Sequence, residues 1–444
     1  MIKTLPNHWE RVKLGDLGNF RNGVNFSKDK KGFGLGLINV KDVFNDNPYI
    51  DFESLDKVDL SNKTGIDTYY VKKGDIFFSR SSVKRDGVGV VSLAKESNFQ
   101  TIFCGFIIRF RLSSKKVDSL FLTYLLRSEY YRKVIIGISG GSAIINISQD
   151  SLASLEISLP PLPTQRKIAG ILSAYDDLIE NNTRRIEILE EMARMLYREW
   201  FVKFRFPVDD VEEKSDRLDD RGDRLGDSRG DRSLNLSELV ESELGLIPKG
   251  WEVKQLINVC TLIMGQSPKS EFYNEIGEGL PFHQGVTNFG DRFPTNKTYT
   301  TVLKRIAQEG DILFSVRAPV GRLNLANTQM VLGRGLCSIR SKDNHQEFLF
   351  QQLKEKFHED DLIGGGTIYK SVTKDDIQNI KILIPSLDLI IRFSQNIKPI
   401  FRELEILTEK NINLRKTRDL LLPRLISGEI DVENLDINIG EIKP

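Results

Sequence analysis

The sequence is poor in cysteine and histidine. The three cysteines, Cys104, Cys260 and Cys337, stand apart in apolar, strand-like surroundings with no CxxC spacing. That argues against a disulfide framework or a zinc cluster and fits a reducing cytoplasm. The four histidines, His8, His283, His345 and His358, are scattered without an i, i+4 partner, so the spacing of a metal site is missing and none is expected. No apolar run reaches the roughly 18 residues that span a bilayer, and no signal-peptide pattern opens the chain; a cytoplasmic protein without a membrane role is expected. An excess of positive charge is missing too: 63 Lys and Arg face 62 Asp and Glu, a net of +1. The balance is uneven, however. Residues 208–247 carry 6 basic and 13 acidic residues, which leaves 63−6=57 basic and 62−13=49 acidic elsewhere, a net of +8. Outside one acidic stretch the chain is moderately basic, which suits a polyanionic partner.

At 444 residues the chain is too long for one core, and it repeats itself. "NHWERVKLGDLGNFRNG" (7–23) is echoed by "KGWEVKQLINVCTLIMG" (249–265), and "VKKGDIFFSRSS" (71–82) by "AQEGDILFSVRAP" (307–319). "SGGSAIINISQDSLASLEISLP" (139–160) returns as "GGGTIYKSVTKDDIQNIKILIP" (364–385), an offset of 385−160=225. Gly74-Asp75 and Gly310-Asp311 read as turns leading into buried strands. Residues 121–135 and 347–357 have helical spacing. Residues 216–232, "DRLDDRGDRLGDSRGDR", have almost nothing apolar to bury and read as a flexible tether; the two RGD triplets in this Asp/Arg tract read as chance.

Each half ends in a long helical stretch. The first follows the prolines of "LPPLP" (159–163), with Thr164 as the expected N-cap. Its apolar positions fall in heptads: Ile168, Tyr175, Asn182, Leu189, Leu196 and Leu172, Ile179, Ile186, Ala193, Trp200. The second gives Phe393, Ile400, Leu407, Leu414, Leu421 and Ile397, Leu404, Asn411, Arg418, Leu425 in the same phase. Five matching heptads predict a coiled-coil seam, with Asn182 and Asn411 setting its register. An approximate two-fold axis between the repeats makes the pair antiparallel. A helix of roughly 40 residues spans about 60 Å, enough to hold two heads on DNA sites about 34–36 Å apart or somewhat more.

Catalytic motifs are imitated rather than present. "GFGLGL" (32–37) and "DNPY" (46–49) resemble a methyltransferase glycine loop and catalytic loop, but they are too close for an intervening βαβ unit. "WEVK" (251–254) lacks the acidic partner of a nuclease, and the glycines of 137–142 and 363–367 lack the Lys-Ser/Thr of a nucleotide loop. Recognition chemistry remains. After each Gly-Asp turn comes a basic, small-residue loop carrying Arg80, Ser81, Ser82, Lys84 and Arg85 in one copy and Ser315, Arg317 and Arg322 in the other. Such side chains reach guanine edges or phosphates. Gly140-Gly141 and Gly365-Gly366 offer backbone N–H groups to phosphate. Lys28, Gln266 and Lys269 lie on a further pair of equivalent loops. The copies differ most in these loops, as expected where one scaffold reads two sequences.

The stretches 159–201, 243–253 ("ELGLIPKGWEV") and 414–430 ("LRKTRDLLLPRLISGEI") resemble a type I restriction–modification specificity subunit, and the resemblance covers essentially the whole chain. It implies an α+β chain in which two target-recognition domains alternate with two helices packed as an antiparallel coiled coil. It implies double-stranded DNA as ligand, read as a bipartite asymmetric site, and two modification subunits plus restriction/translocase subunits as partners. No cofactor is then expected in this chain; S-adenosylmethionine, ATP and Mg belong to the partners. The implied partition is 1–160 and 246–386 as recognition domains, 161–206 and 387–427 as spacer helices, 207–245 as linker and 428–444 as tail. The second helix departs from the pattern by opening "IPSLDLIIRFSQ" (384–395) instead of "LPPLPTQRKIA". Two other readings stay open: an enzyme with its own methyltransferase or nuclease site, and a coiled-coil adaptor without a DNA role.

Overall fold

The computed structural model describes residues 9–60, 63–96, 100–141, 144–207, 238–357 and 371–436. The fold is α+β, and it divides into two compact units, Met1–Thr183 with Thr408–Pro444, and Arg184–Leu407. Each unit holds one β-rich domain and a stretch of both long helices.

In the first unit, strands Gly18–Asn22, Ile107–Leu112, Ile76–Ser79 and Val91–Leu93 form an antiparallel sheet in that order. A second sheet orders Asp56–Val58, Lys31–Ile38 and Thr101–Phe103, the last two running parallel. Strand Glu10–Lys13 pairs with Glu156–Leu159, tying the start of the domain to its end. "IFF" is apolar throughout because the strand is buried on both sides. Ile76 and Phe78 enter the core against the helices, and Phe77 enters the core of the second sheet. The helical stretch of 121–135 is two helices, α1 (Ser119–Arg127) and α2 (Glu129–Ile138), broken at Ser128, which is extended and donates its hydroxyl to Leu125 O at 2.6 Å. The short α3 (Gln149–Ala153) precedes the first long helix, α4 (Leu162–Tyr197), which ends in a π turn, Arg198–Val202.

The second unit repeats this order strand for strand: Cys260–Met264, Leu336–Ser341, Ile312–Ser315, Leu323–Leu325. Its second sheet is larger, and again contains a parallel pair, Leu280–His283 with Met330–Leu332. Glu252–Gln255 pairs with Lys381–Ile384 as the counterpart of the first domain's closing strands. Helices α5 (Leu256–Val259), α6 (Gln346–Lys356) and α7 (Lys374–Gln378) lead to the second long helix, α8 (Leu387–Ile426). Most of the acidic stretch, 208–237, lies outside the described residues, so the tether reading falls there too. Leu239–Ser242 and Gly245–Pro248, just beyond it, form a hairpin.

The Gly-Asp turns hold more than a bend. Asp75 is fully buried and accepts Lys72 N–H at 2.8 Å, closing the turn, while Arg111 reaches it with two nitrogens, each at 2.6 Å. Asp311 does the same with Gln308 N–H at 2.9 Å and with Arg340 at 2.5 Å. Glycine at positive φ (86° at Gly74, 80° at Gly310) makes the turn possible.

The long helices pair within each unit, end of one against start of the other, and so run antiparallel there. In the first unit Ile168, Ala169 and Leu172 share a core with Leu425 and Ile426. Asn182 donates its amide to Asn411 Oδ1 at 3.0 Å, and Asn411 donates in turn to Thr183 Oγ1 at 3.2 Å. In the second unit Ala193, Tyr197, Trp200 and Phe201 pack with Leu389, Ile390, Phe393 and Ile397. None of the predicted seam positions, from Ile168 to Trp200 and from Phe393 to Leu425, is exposed.

One expectation fails at the entry to α4. The helix opens at Leu162, not after Thr164, because proline fits the first helical turn, where no N–H partner is needed, and Pro163 sits there. The neighbouring Gln165 explains the different opening of α8. Its buried amide accepts Asp118 N–H at 2.9 Å, at the N-cap of α1, and donates to Lys116 O and Pro160 O at 3.0 and 2.8 Å. At the offset of 225 the second copy has Ile390, which makes an apolar contact instead. Past α8 the chain folds back, and Lys167 Nζ donates to the carbonyls of Val432, Glu433 and Leu435.

Candidate nucleic-acid interface

In the first domain the strand from the Gly-Asp turn runs out to Arg80, and Ser81–Ser82 then pairs with Ile145–Asn146. Arg80 N–H donates to Phe106 O at 2.8 Å, and Arg80 O accepts Ile147 N–H at 3.0 Å. Gly140 exchanges both backbone bonds with Asn146, at 2.9 and 2.7 Å, so the glycine pair joins the same edge. The loop of 20–28 arrives beside it: Gly105 N–H donates to Val24 O at 2.8 Å, and Asn25 presses so close that a Cβ at Gly105 would lie 1.8 Å from its side-chain oxygen. The structure therefore gathers Arg80, Ser81, Ser82, Gly140 and Gly141 from distant segments. Lys84 and Arg85 are exposed at the adjoining turn, next to Val83, 81% exposed. Lys28 opens a 3-10 turn, Lys28–Lys30, and its side chain lies outside the described set. Arg80 is half-buried and donates to Gly105 O at 3.4 Å, so it braces the bend as well as facing outward.

The second domain builds the same edge with different side chains. Val316 N–H donates to Gly335 O at 2.9 Å, Val372 N–H donates to Val316 O at 3.0 Å, and Arg317 bridges to Ser371. By this register Val316 occupies the place of Arg80, and Arg317 that of Ser81. The two arginines are thus one residue out of step, and on a strand that turns them to opposite faces. Arg317 and Arg322 are exposed, as is Gln266, whose N–H donates to Leu332 O at 2.8 Å. Lys269 is exposed beside Glu271 at 3.7 Å. Gly365 and Gly366 lie outside the described residues.

Ser315 has another task. It is buried, donates its hydroxyl to Pro319 O at 2.6 Å and accepts Arg322 N–H at 2.8 Å. Ser79 matches it, donating to Gly87 O at 2.6 Å and accepting Val90 N–H at 3.0 Å. Each serine staples its own loop. The sequence reading passed over Ser267, Gln284 and Arg334, which meet beside Arg317; Ser267 donates its hydroxyl to Gln284 Oε1 at 2.7 Å and accepts Arg334 N–H at 3.1 Å. Three separate segments contribute them, so no local pattern signalled the cluster.

The catalytic look-alikes resolve into framework. "GFGLGL" lies within strand Lys31–Ile38 and opens no helix. In "DNPY" Asn47 accepts Tyr49 N–H at 3.1 Å in a turn, and Tyr49 is buried. Glu252 of "WEVK" pairs with Lys254 at 2.7 Å. Among the described residues no group of three His, Cys, Asp or Glu side chains is placed to hold a metal, and no helix is long and apolar enough to cross a membrane.

Comparison with known proteins agrees on one family. The family model for the type I restriction modification DNA specificity domain matches residues 6–191 and 248–418. A Methanocaldococcus jannaschii protein, provisionally assigned as the MjaX specificity subunit of a type I restriction enzyme, is 31% identical over 97% of this chain and 96% of its own length. The HindI specificity subunit of Haemophilus influenzae is 27% identical over 95% of this chain and 99% of its own. The crystal structure of a type I S subunit from M. genitalium superposes with a TM-score of 0.56 over 95% of this chain and 98% of that one, at 16% identity, a likeness of fold.

Proposed function

The chain belongs to the type I restriction–modification DNA specificity family, and from that membership we propose how its parts divide the work. It is the DNA specificity subunit of such a system, the component without catalytic residues of its own. Each β-rich domain reads one half of a bipartite, asymmetric duplex site through its loop edge. The paired helices set the unspecified gap and dock two modification subunits, through which restriction subunits join. Adenine N6 methylation with S-adenosylmethionine, and ATP- and Mg-dependent translocation and cleavage, belong to those partners.

The observation that carries this reading is the repeat in three dimensions. One strand order occurs twice in the main sheet, each copy leads to an edge built from corresponding segments, and the outward side chains on those edges differ. A duplicated scaffold with dissimilar edges suits two different half-sites. Against an enzyme reading stand the look-alike motifs among the described residues, which are strand and turn.

Mapping N6-methyladenine in DNA exposed to this chain with its modification subunits tests the proposal. Two short specified blocks separated by a fixed gap are expected. Methylation at a single uninterrupted block, or a pattern independent of this chain, overturns it.

A further inference from the structure

The edge of the second domain holds two exposed guanidinium groups, Arg317 and Arg334, and neither has an acidic partner among the described residues. Strands Ile312–Ser315 and Leu336–Ser341 pair with Ser315 opposite Leu336. Beyond that pair Val316 N–H donates to Gly335 O, and Leu336 N–H closes a turn onto Gly333 O at 3.0 Å, so Arg334 stands on the turn next to the strand end that leads to Arg317. Two other arginines of this domain are paired, Arg340 with Asp311 and Arg292 with Glu190, each at 2.5 Å.

Arg334 is also held unusually firmly for an exposed residue. Its own N–H goes to Ser267 Oγ, and its neighbours Gly333 and Gly335 donate to His283 O and Gln284 O at 2.8 and 3.0 Å. A Cβ on either glycine would fall 2.6 Å from Gln284 backbone atoms, so the bend is tight because both flanking residues are glycine. Gln284 is exposed, and the Ser267 hydroxyl occupies its amide oxygen, which turns the NH2 away from Ser267. A backbone fixed at Arg334 beside an oriented amide anchors the root of an outward guanidinium where it can meet paired acceptors. The first domain has Gly105 and Ser81 at the positions of Arg334 and Arg317, with Ser81 donating to Asn146 at 2.5 Å. Its edge is neutral there.

Resting on the DNA-reading role argued above, we propose that Arg334, with Gln284 and Arg317 beside it, is the base-reading centre of the second domain. Its ligand is the major-groove edge of guanine, whose O6 and N7 accept a bidentate guanidinium. The half-site read by the first domain is discriminated at the matching place by neutral groups.

The test uses the full chain with its modification subunits, a duplex library randomised at both half-sites, and sequencing of the bound fraction over a range of salt. Arg334→Ala and Arg334→Lys are expected to reduce the preference for guanine at one position of the second half-site by roughly 10- to 100-fold. Gln284→Ala is expected to relax the same or the adjoining position. The first half-site should stay as in the parent. A uniform loss across all sequences with a shallower salt dependence would make Arg334 a phosphate contact and overturn the assignment. Unchanged preference in both Arg334 variants overturns it as well. A parent complex that enriches no sequence would bring down the DNA-reading role itself, a result distinguishable from either.

Discussion

Asp75 and Asp311 show what one side chain does for each domain. Each closes a turn with Oδ2 and takes an arginine from the neighbouring strand, Asp75 with both oxygens and Asp311 with Oδ1, so the strand that leads to the loop edge is fixed at its root. The carboxylates are buried while their arginines stay partly exposed, so removing the aspartate costs chiefly the acceptor of the turn N–H. Asp311→Ala is expected to lower the unfolding free energy by roughly 1–3 kcal/mol, read as a shifted urea midpoint, and Asp75→Ala to do the same in the first domain. A change below about 0.5 kcal/mol would show the pair to be incidental. His283 supplies a pH signature. Burial disfavours its charged form and outweighs the hydrogen bond to Asn296 at 2.8 Å, so its pKa is below 6.5. In acid the unfolded chain then takes up a proton that the folded chain refuses. Stability should fall as pH drops below 6.5, by up to about 1.4 kcal/mol per pH unit. His283→Gln should flatten the thermal-unfolding profile between pH 7 and 5; an unchanged slope rules the histidine out as its source. Residue identity carried part of this. The Gly-Asp turns were legible because glycine and aspartate mark turns locally, whereas the partners Arg111 and Arg340 stand 36 and 29 residues away. Arg334 was invisible for the same reason.

At the scale of elements, a rod of two helices needs both adhesion and register. The apolar layers supply the first without choosing an alignment, since leucines slide past leucines at little cost. Asn182 and Asn411 supply the second, because any slip buries both amides unpaired. Asn411→Leu alone should destabilise the first unit by roughly 1–3 kcal/mol, the cost of stranding Asn182. The double change to leucine should recover most of that loss, a coupling that a double-mutant cycle in thermal or urea unfolding measures. Purely additive effects would mean the two amides do not act together. The units differ in how the rod is fastened. In the first, Asp176 of α4 is buried between Tyr124 of α1, at 2.5 Å, and Arg418 of α8. In the second, Glu190 receives Arg292 and Lys354 at 2.5 and 2.6 Å; burial would raise its pKa, and the two cations hold it below the ordinary range. The seam was readable because five heptads in phase are a long-range pattern. The start of α4 was misplaced by three residues because Pro163 fits a first turn as well as prolines block what precedes one.

For the molecule as a whole, the repeat was legible from sequence because strands and helices keep their pattern under the constraint of burial, and the edges only in part, because exposed loops are free to diverge and Ser267, Gln284 and Arg334 come from separate segments. That division has a mechanical consequence. If the paired helices set the gap between half-sites, the gap must follow helix length and ignore everything else. A heptad added beside Asn182 in α4 and another beside Asn411 in α8 keeps the apolar phase and lengthens the rod by about 10 Å. At 3.4 Å per base pair that corresponds to about three base pairs. Methylation mapping of this variant, with its modification subunits, should return both parental half-sites with a gap longer by about that amount. A heptad in α4 alone breaks the pairing of layers and should abolish specific methylation instead. On the tether reading, deleting 214–232 from the acidic stretch should change neither half-site nor gap, because a tether need only be long enough to span its ends. A gap that stays constant when the rod is lengthened, or moves when the tether is cut, would mean that spacing is set by the recognition domains themselves and that the helices serve only to join them.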